Sequence, residues 1–259
     1  MIGAIIGDIV GSRFEFNNNR STKFEFFHPD CEFTDDTVMT LAVADAIINN
    51  RPFGEVMHEY GRKYHDRGYG GMFFNWLLSK NPKPYNSCGN GSAMRVSPCA
   101  FLSGGNREQA LTWATASAVC THNHPEGVKG AMAITDCILM ALEHRPKDEI
   151  RHVAVELYGY DMDFTIDQIR PRFGFNETCQ KTVPQAIECF LESHDFESAI
   201  RIAVSLGGDS DTIANITGGM AEAYYGVPEE MANTALAMLP DELGKVCMDA
   251  RHLILKDSD

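Results

Sequence analysis

Apolar residues recur at helical spacing along most of the chain, and this periodicity restricts the fold more than any other feature of the sequence. In residues 37–50, Val38, Leu41 and Ala42 lie on one helical face, which Ala44 and neighbouring isoleucines widen. The same spacing predicts helices over residues 55–66, 72–80, 107–119, 126–145, 147–160, 184–194, 196–206, 212–225, 228–239 and 241–255.

Alternation of apolar and polar residues, which is typical of a half-buried strand, is nearly absent. Only residues 23–27 (KFEFF) favour a short strand. No Ser-, Gly- or Pro-rich linker divides the chain, and residues 81–96 are the longest segment with no helical pattern. We therefore predict an all-α protein in which residues 1–259 form one compact domain, with a long loop at residues 81–96 that has a functional role.

Charge and hydropathy exclude several classes of partner. The formal net charge of −14 argues against a nucleic-acid or anionic-membrane binder. No apolar run approaches the roughly 18–20 residues that cross a membrane. The apolar N-terminus lacks a basic region and contains Asp8, so it does not resemble a signal peptide. The eight cysteines show no zinc-type spacing. We expect a cytoplasmic protein with reduced thiols.

Two segments place carboxylates and threonine hydroxyls at predicted helix starts: residues 34–37 (TDDT) and residues 209–212 (DSDT). A single Asp or Thr is enough to cap a helix, which contributes about 1 kcal/mol. Capping does not account for neighbouring acids, because their charges repel. A divalent cation would offset that repulsion, and hard oxygen ligands favour Mg²⁺, Mn²⁺ or Ca²⁺ over zinc. The segments form one site only if the fold brings them together.

Near the N-terminus, Gly3, Gly7 and Gly11 fall on one helical face, where small residues permit another backbone to approach closely. Asp8 lies in the same predicted helix, and a buried ionised carboxylate needs a partner. Glu15 stands between two phenylalanines, so an apolar environment is expected to raise its pKa.

Two loops carry further polar groups. Residues 87–95 (SCGNGSAMR) could direct backbone amides at a phosphate, although an ordinary turn would also explain the glycines. Residues 121–127 (THNHPEG) contain His122, His124 and Glu126. These three could bind a transition metal or cap the following helix, and a histidine ring could stack on a base.

In this order the motifs resemble those of the ADP-ribosylglycohydrolase family, the group that includes the dinitrogenase-reductase-activating glycohydrolase. The resemblance covers nearly the whole chain and rests on GDIVGSRFE, FTDDT, GNGSAMR, THNHPEG and GGDSDTIANITGG. It implies a compact orthogonal helical bundle with a central binuclear metal cleft that holds two Mg²⁺ or Mn²⁺ ions.

The resemblance also implies roles for individual residues. The metal ligands would be Thr34, Asp35, Asp36, Asp209, Asp211 and Thr212. The diphosphate of ADP-ribose would lie on Gly89, Asn90, Gly91, Ser92, Ala93 and Met94, with His122 beside the adenosine end. Glu15 would stand at the mouth of the cleft, and the base that accepts a proton from the attacking water would be Asp35, Asp36 or Glu15.

The implied activity is hydrolysis of the N- or O-glycosidic bond at C1″ of an ADP-ribose conjugate. The favoured substrate is a protein side chain such as arginine. Two alternatives remain open at this point: a hydrolase of O-acyl-ADP-ribose or another small conjugate, and a non-catalytic ADP-ribose sensor that keeps the metals for binding alone. We expect the protein to be a monomer.

Overall fold

The computed structural model describes residues 1–256 and consists of helices joined by loops. In chain order the helices are α1 (Ile2–Ser12), α2 (Asp35–Ile48), α3 (Phe53–Lys63), α4 (Gly71–Leu78), α5 (Gly91–Met94), α6 (Ser97–Phe101), α7 (Arg107–Val119), α8 (Pro125–Leu142), α9 (Lys147–Glu156), α10 (Ile166–Ile169), α11 (Cys179–Glu192), α12 (Phe196–Leu206), α13 (Ser210–Tyr225), α14 (Glu229–Ala237) and α15 (Asp241–Lys256). Within the described residues β-pairing is limited to an isolated bridge between Gly89 and Thr178. The predicted all-α class is confirmed.

The strand predicted at residues 23–27 is wrong, because this segment forms an irregular loop. Its phenylalanines are partly buried against the core, and its carbonyl groups find side-chain donors instead of a second strand. Arg201 donates to the carbonyl of Phe24 (2.8 Å), and Arg13 donates to the carbonyl of Glu25 (2.6 Å). The alternating pattern therefore reflects a loop that buries one side.

Some helix boundaries differ from the periodicity. Pro184 is predicted to begin a helix, but α11 already begins at Cys179 and contains the proline. The first turn of α11 is fixed by packing, since a Cβ atom at Gly130 of α8 would lie 2.6 Å from the Cys179 Sγ atom. The predicted loop at residues 81–96 contains the short helix α5, and α10 lies in a region with no predicted helix.

Glycines bring α1 and α13 into backbone contact. A Cβ atom at Gly7 would lie 2.0 Å from the carbonyl oxygen of Ala214, and one at Gly218 would lie 2.1 Å from the carbonyl oxygen of Gly3. Real Cβ atoms cannot approach that closely, so these positions exclude side chains. The contact holds Asp8 of α1 beside the first turn of α13.

Helix α13 is central to the core, and each of its residues from Ser210 to Ala221 is buried. It packs against α1, α8, α11 and α12. All eight cysteines are free thiols, although Cys88 and Cys120 are only partly buried. Over residues 1–256, the helices are too short or too polar to cross a membrane.

Candidate metal centre and ligand cleft

Asp8 joins α1 to the start of α2. Its carboxylate accepts hydrogen bonds from the amides of Thr34 (2.9 Å) and Thr37 (3.0 Å). It also accepts from the hydroxyls of Thr34 (2.7 Å) and Thr37. Four donors therefore satisfy a fully buried acid. Thr34 and Thr37 are therefore the partners that the burial of Asp8 requires, and Asp8 in turn positions the first acidic segment.

The fold brings the two acidic segments together. Asp8, Asp36 and Asp211 each offer a carboxylate oxygen, and these atoms lie within 4.8 Å of one another. Glu15, Asp209 and Asp211 form a second group with the same spacing. Asp211 belongs to both groups, so the acids form one continuous cluster between α1, α2 and α13.

Burial and mutual repulsion oppose ionisation of these acids. Burial, followed by the neighbouring carboxylates, raises the pKa values of Asp36 and Asp211 well above their usual range. Burial raises the pKa of Asp8 to about 6 despite its hydrogen bonds. The pKa of Glu15 rises to about 7 through burial and the charges of Asp209 and Asp8.

The donor set fits divalent cations. The Oδ1 atoms of Asp36 and Asp211 are buried, and among the described residues they have no hydrogen-bond partner. No lysine or arginine of residues 1–256 forms an ion pair with this cluster. Unpaired buried carboxylate oxygens are costly, and hard cations are the groups that such oxygens bind. The cluster is therefore compatible with a metal site.

The predicted ligands differ in their surroundings. Asp35 is partly buried and lines the cleft, and burial with nearby acids also raises its pKa well above the usual range. Thr212 donates to Asp36 Oδ2 (3.1 Å). Thr34 donates to Asp8 and accepts from the Asp36 amide (3.3 Å). Because both hydroxyls donate to carboxylates, each oxygen retains a lone pair that could face a cation.

The acids line a cleft that also contains the glycine-rich loop. Gly89, Asn90, Gly91 and Met94 line this cleft. Ser92 does not, because its buried hydroxyl donates to the carbonyl of Gly127 (2.8 Å). The side chain of Ala93 is buried and is also absent from the lining. Ser92 and Ala93 could therefore contribute to the predicted phosphate cradle through their backbone but not through their side chains.

Asn90 connects the loop to the acids. Its side-chain amide donates to Asp209 Oδ2 (2.6 Å) and to the Thr182 hydroxyl (3.0 Å). Its backbone amide donates to the carbonyl of Glu177 (2.7 Å). The amide side chain is therefore engaged within the protein, and it orients Asp209.

His122 packs against the glycines of the loop. Cβ atoms at Gly89 and Gly91 would lie 3.3 and 3.1 Å from its Nε2 atom. Its Nδ1 atom is 2.7 Å from the Thr121 hydroxyl. Burial and the charge of Arg95 lower the pKa of His122 well below its usual range, so the ring is neutral. His124 caps α8 by accepting a hydrogen bond from the Glu126 amide (3.1 Å). Of the roles considered for residues 121–127, His124 therefore has that of a helix cap.

Arg95 is the cationic group of the cleft that the sequence does not single out. It is fully buried, and its Nη2 atom donates to the Ser117 carbonyl and the Thr121 hydroxyl (both 2.7 Å). Its Nε and Nη1 atoms have no partner among the described residues. Asp8 and Glu177 also belong to the site region, and of these only Asp8 carries a signal in the sequence, an acid within an apolar helix.

These features define an α-helical protein in which buried carboxylates and a glycine-rich loop share one cleft. The model of the ADP-ribosylglycohydrolase family matches residues 1–255. The chain therefore belongs to the ADP-ribosylglycohydrolase family, and it is an enzyme that hydrolyses glycosidic bonds of ADP-ribose conjugates.

Relatives span most of the chain at low identity. ADP-ribosylhydrolase ARH3 of Mus musculus is 27% identical and covers 88% of this chain and 83% of its own length. The ADP-ribosyl-(dinitrogen reductase) glycohydrolase of Rhodospirillum rubrum is 23% identical, and the match covers 88% of this chain and 85% of the relative. ADP-ribosylarginine hydrolase Tri1 of Pseudomonas putida (strain GB-1) is 26% identical, and the match covers 88% of this chain and 70% of the relative. A solved structure, an ADP-ribosylglycohydrolase-related protein complex, shares the fold with a TM-score of 0.72 and 22% identity. The match covers 98% of this chain and 97% of the solved chain.

Proposed function

We propose that this enzyme removes ADP-ribose from modified protein side chains such as arginine, with two Mg²⁺ or Mn²⁺ ions held between α2 and α13. The observation that carries the proposal is the acid cluster in which Asp211 belongs to two groups of three carboxylates. Among residues 1–256 the buried Oδ1 atoms of Asp36 and Asp211 have no partner, which supports cations of this kind.

We propose Asp35, Asp36, Asp209, Asp211, Thr34 and Thr212 as the residues that hold the ions. When bound, the ions would supply Lewis-acid chemistry, which orients substrate oxygens and acidifies water. Glu15 lies at the edge of this cluster with a pKa of about 7, so near neutral pH it can accept the proton of the attacking water. Asp35 and Asp36 are the other candidate bases.

The part of the cleft that Arg95 and the glycine-rich loop line suits the anionic part of the substrate. Arg95 is a buried cation without a carboxylate partner, and it lines the cleft together with Gly89 and Gly91. A diphosphate placed along this loop would complement that charge, and Tyr85 and the neutral His122 provide rings for a base. The orientation of ADP-ribose would then direct C1″ towards the acids.

The arginine linkage is proposed from a surface aromatic pair that is close in sequence to two acids of the cleft. Phe16 and Phe175 stack on the surface, with ring centroids 6.0 Å apart, and Phe16 is 86% exposed. Phe16 directly follows Glu15, and Phe175 stands two residues before Glu177; both of these acids line the cleft. Exposed aromatic faces next to carboxylates favour a planar cation such as guanidinium.

The test is a turnover panel with ADP-ribosyl-arginine, ADP-ribosyl-serine and O-acetyl-ADP-ribose, each in Mg²⁺, Mn²⁺ or EDTA, with released ADP-ribose measured by chromatography. We expect metal-dependent release that is fastest from the arginine conjugate. Release from O-acetyl-ADP-ribose alone would replace this proposal with the small-conjugate alternative. Tight ADP-ribose binding by calorimetry, without turnover of any conjugate, would identify a sensor.

A further inference from the structure

Two side chains from the loop after α1 bind the turn that precedes α13. Asn18 and Arg20 contact Gly207 and Gly208, about 190 residues away in sequence. We refer to these four residues as the clasp. Glu15 lies just before the clasp in one segment, and Asp209 lies just after it in the other.

Asn18 uses both ends of its amide group. Its Oδ1 atom accepts from the Gly208 amide (2.8 Å), and its Nδ2 atom donates to the Gly208 carbonyl (3.0 Å). Nδ2 also approaches the carbonyls of Phe14 (2.8 Å) and Glu15 (2.9 Å). A backbone amide can only donate and a carbonyl can only accept, so these partners determine the orientation of the amide. An aspartate here would lose every donor.

Arg20 completes the contact. Its guanidinium donates to the carbonyls of Leu206, Arg170 (3.1 Å) and Phe173 (2.6 Å). A Cβ atom at Gly207 would lie 2.6 Å from the Arg20 Nη1 atom and 3.0 Å from the Asn18 Oδ1 atom. Gly207 also has a φ of 72°, which favours glycine. The turn is therefore shaped to receive these two side chains.

The position of Glu15 depends on this backbone contact. Within residues 1–256, the Glu15 carboxylate has no hydrogen-bond donor to hold it, and the nearby Asp209, Asp8 and Glu177 repel it. Glu15 nevertheless lies within 4.8 Å of Asp209 and Asp211, oxygen to oxygen. Because Asn18 binds the Glu15 carbonyl and both backbone groups of Gly208, it fixes the distance between the two acidic segments.

We propose that Asn18 is a positioning residue that holds Glu15 beside Asp209 and Asp211, so that the Glu15 carboxylate faces the cation proposed to bind these two acids. The inference rests on the proposed metal-dependent function, but it concerns metal affinity and not the substrate. Residues that orient metal ligands typically change affinity or activity by about 10–100-fold when they are replaced.

The experiment measures Mn²⁺ affinity by electron paramagnetic resonance for the full chain and for the variants Asn18→Asp and Asn18→Leu. We expect both variants to bind Mn²⁺ about 10-fold more weakly or worse, and turnover of the Asn18→Asp variant to recover partly as Mn²⁺ is raised. Asn19→Asp is the matched control. Among residues 1–256, the Asn19 side chain bonds only to the backbone of Ser21 in its own turn, so the same chemical change there should leave Mn²⁺ affinity unaltered.

Mn²⁺ affinity within twofold of wild type in both folded Asn18 variants would overturn the proposal. Equal weakening in the Asn19→Asp variant would also overturn it, because the effect would then come from charge in the loop. Should Asn18→Leu fail to fold, the Asn18→Asp variant decides, since Asn18 is exposed and aspartate has the same size. Wild-type protein that binds Mn²⁺ but turns over no ADP-ribose conjugate would contradict the proposed function, but it would not contradict the positioning role of Asn18.

Discussion

The helix starts at residues 34–37 and 209–212 have nearly the same composition, but the protein holds them in different ways. At α2, Thr34 caps the helix by accepting from the Asp36 amide, and the Asp8 carboxylate binds both threonines. At α13, no side-chain hydrogen bond caps the helix. Its acids follow a diglycine turn with φ values of 72° and 73°, and Asn90 holds Asp209.

The difference indicates that capping alone does not account for the acids at the two helix starts. A threonine performs that role at α2, and at α13 the backbone turn and a neighbouring amide side chain take its place. Both arrangements leave carboxylate oxygens at a helix N-terminus, where the helix dipole favours negative charge. Two helix starts that are held in different ways therefore present acids to the same cleft. Their meeting is stronger evidence for a shared site than either acidic motif alone.

The largest expected effect comes from Asp211→Asn, because Asp211 belongs to both groups of acids. We expect Mn²⁺ affinity and turnover to fall by about 100-fold or more. In EDTA, the same variant should unfold at a higher temperature than wild type, since it loses a buried charge that the neighbouring acids repel. Metal titration, turnover and thermal unfolding measure the three quantities.

Asp136→Asn is the control for this substitution, since Asp136 is a buried acid of α8 that is already paired. It accepts two hydrogen bonds from Arg107 (2.7 and 2.6 Å) and one from the Tyr158 hydroxyl. The variant should lose about 1–3 kcal/mol of unfolding free energy and retain normal Mn²⁺ affinity. If Asp211→Asn were destabilising in EDTA to the same extent, the acid cluster would not be under repulsion.

Replacing the group that holds each helix start sharpens the comparison. Asp8→Ala should lower the unfolding free energy by about 3 kcal/mol, because it removes four hydrogen bonds and leaves the buried amides of Thr34 and Thr37 without their acceptor. Asn90→Ala removes two side-chain hydrogen bonds and should cost about 1–2 kcal/mol. Denaturant unfolding measures both. The reverse order would mean that α13, and not α2, depends more on its side-chain partner.

The contact between α1 and α13 should tolerate no side chain. Gly7→Ala is expected to cost about 1–3 kcal/mol and to weaken Mn²⁺ binding, because Asp8 would move with its helix. Gly244→Ala in α15 is the control, since a Cβ atom there meets nothing within 4 Å. That change should be neutral or stabilising by up to about 1 kcal/mol. Equal unfolding curves for the two variants would argue against close backbone packing.

The stability of the protein should also depend on pH, with a defined sign. The pKa values of Asp8 and Glu15 are raised from ordinary values of 3.8 and 4.5 to about 6 and about 7, so the folded state binds more protons than the unfolded chain between these limits. In EDTA, the melting temperature should therefore fall as pH rises through this window. Saturating Mg²⁺ should stabilise more at the upper end, where the acids are ionised. A melting temperature in EDTA that rises over the same window would contradict the raised pKa values.

Much of the local structure could be predicted from the sequence. The boundaries of α7 and α12 agree with the periodicity, and the small residues at positions 3, 7 and 11 indicated close helix contact. The errors arise where packing outweighs local preference. The first turn of α11 forms because Cys179 packs on Gly130, and residues 23–27 are held by Arg13 and Arg201.

The roles within the glycine-rich loop could not be predicted, because backbone turns alone determine which side chains face the cleft. The Ser92 hydroxyl donates to the Gly127 carbonyl, a side-chain contact that the sequence does not indicate. The Asn90 side-chain amide donates to Asp209, which is 119 residues away in sequence. The sequence does not indicate a role for the charge of Arg95. That role becomes visible only in the structure, where Arg95 is buried and has no carboxylate partner among residues 1–256.

The sequence by itself determined the helices, the surplus of acids at two helix starts and the close contact expected of three glycines. These properties depend on spacings of four residues or fewer, within reach of a local pattern. Only the tertiary structure decided that Asp8, Asp36 and Asp211 meet, and that Asn18 reaches Gly208. Such distances depend on how α1, α2 and α13 pack, because residues far apart in sequence become neighbours only when their helices bury a common surface.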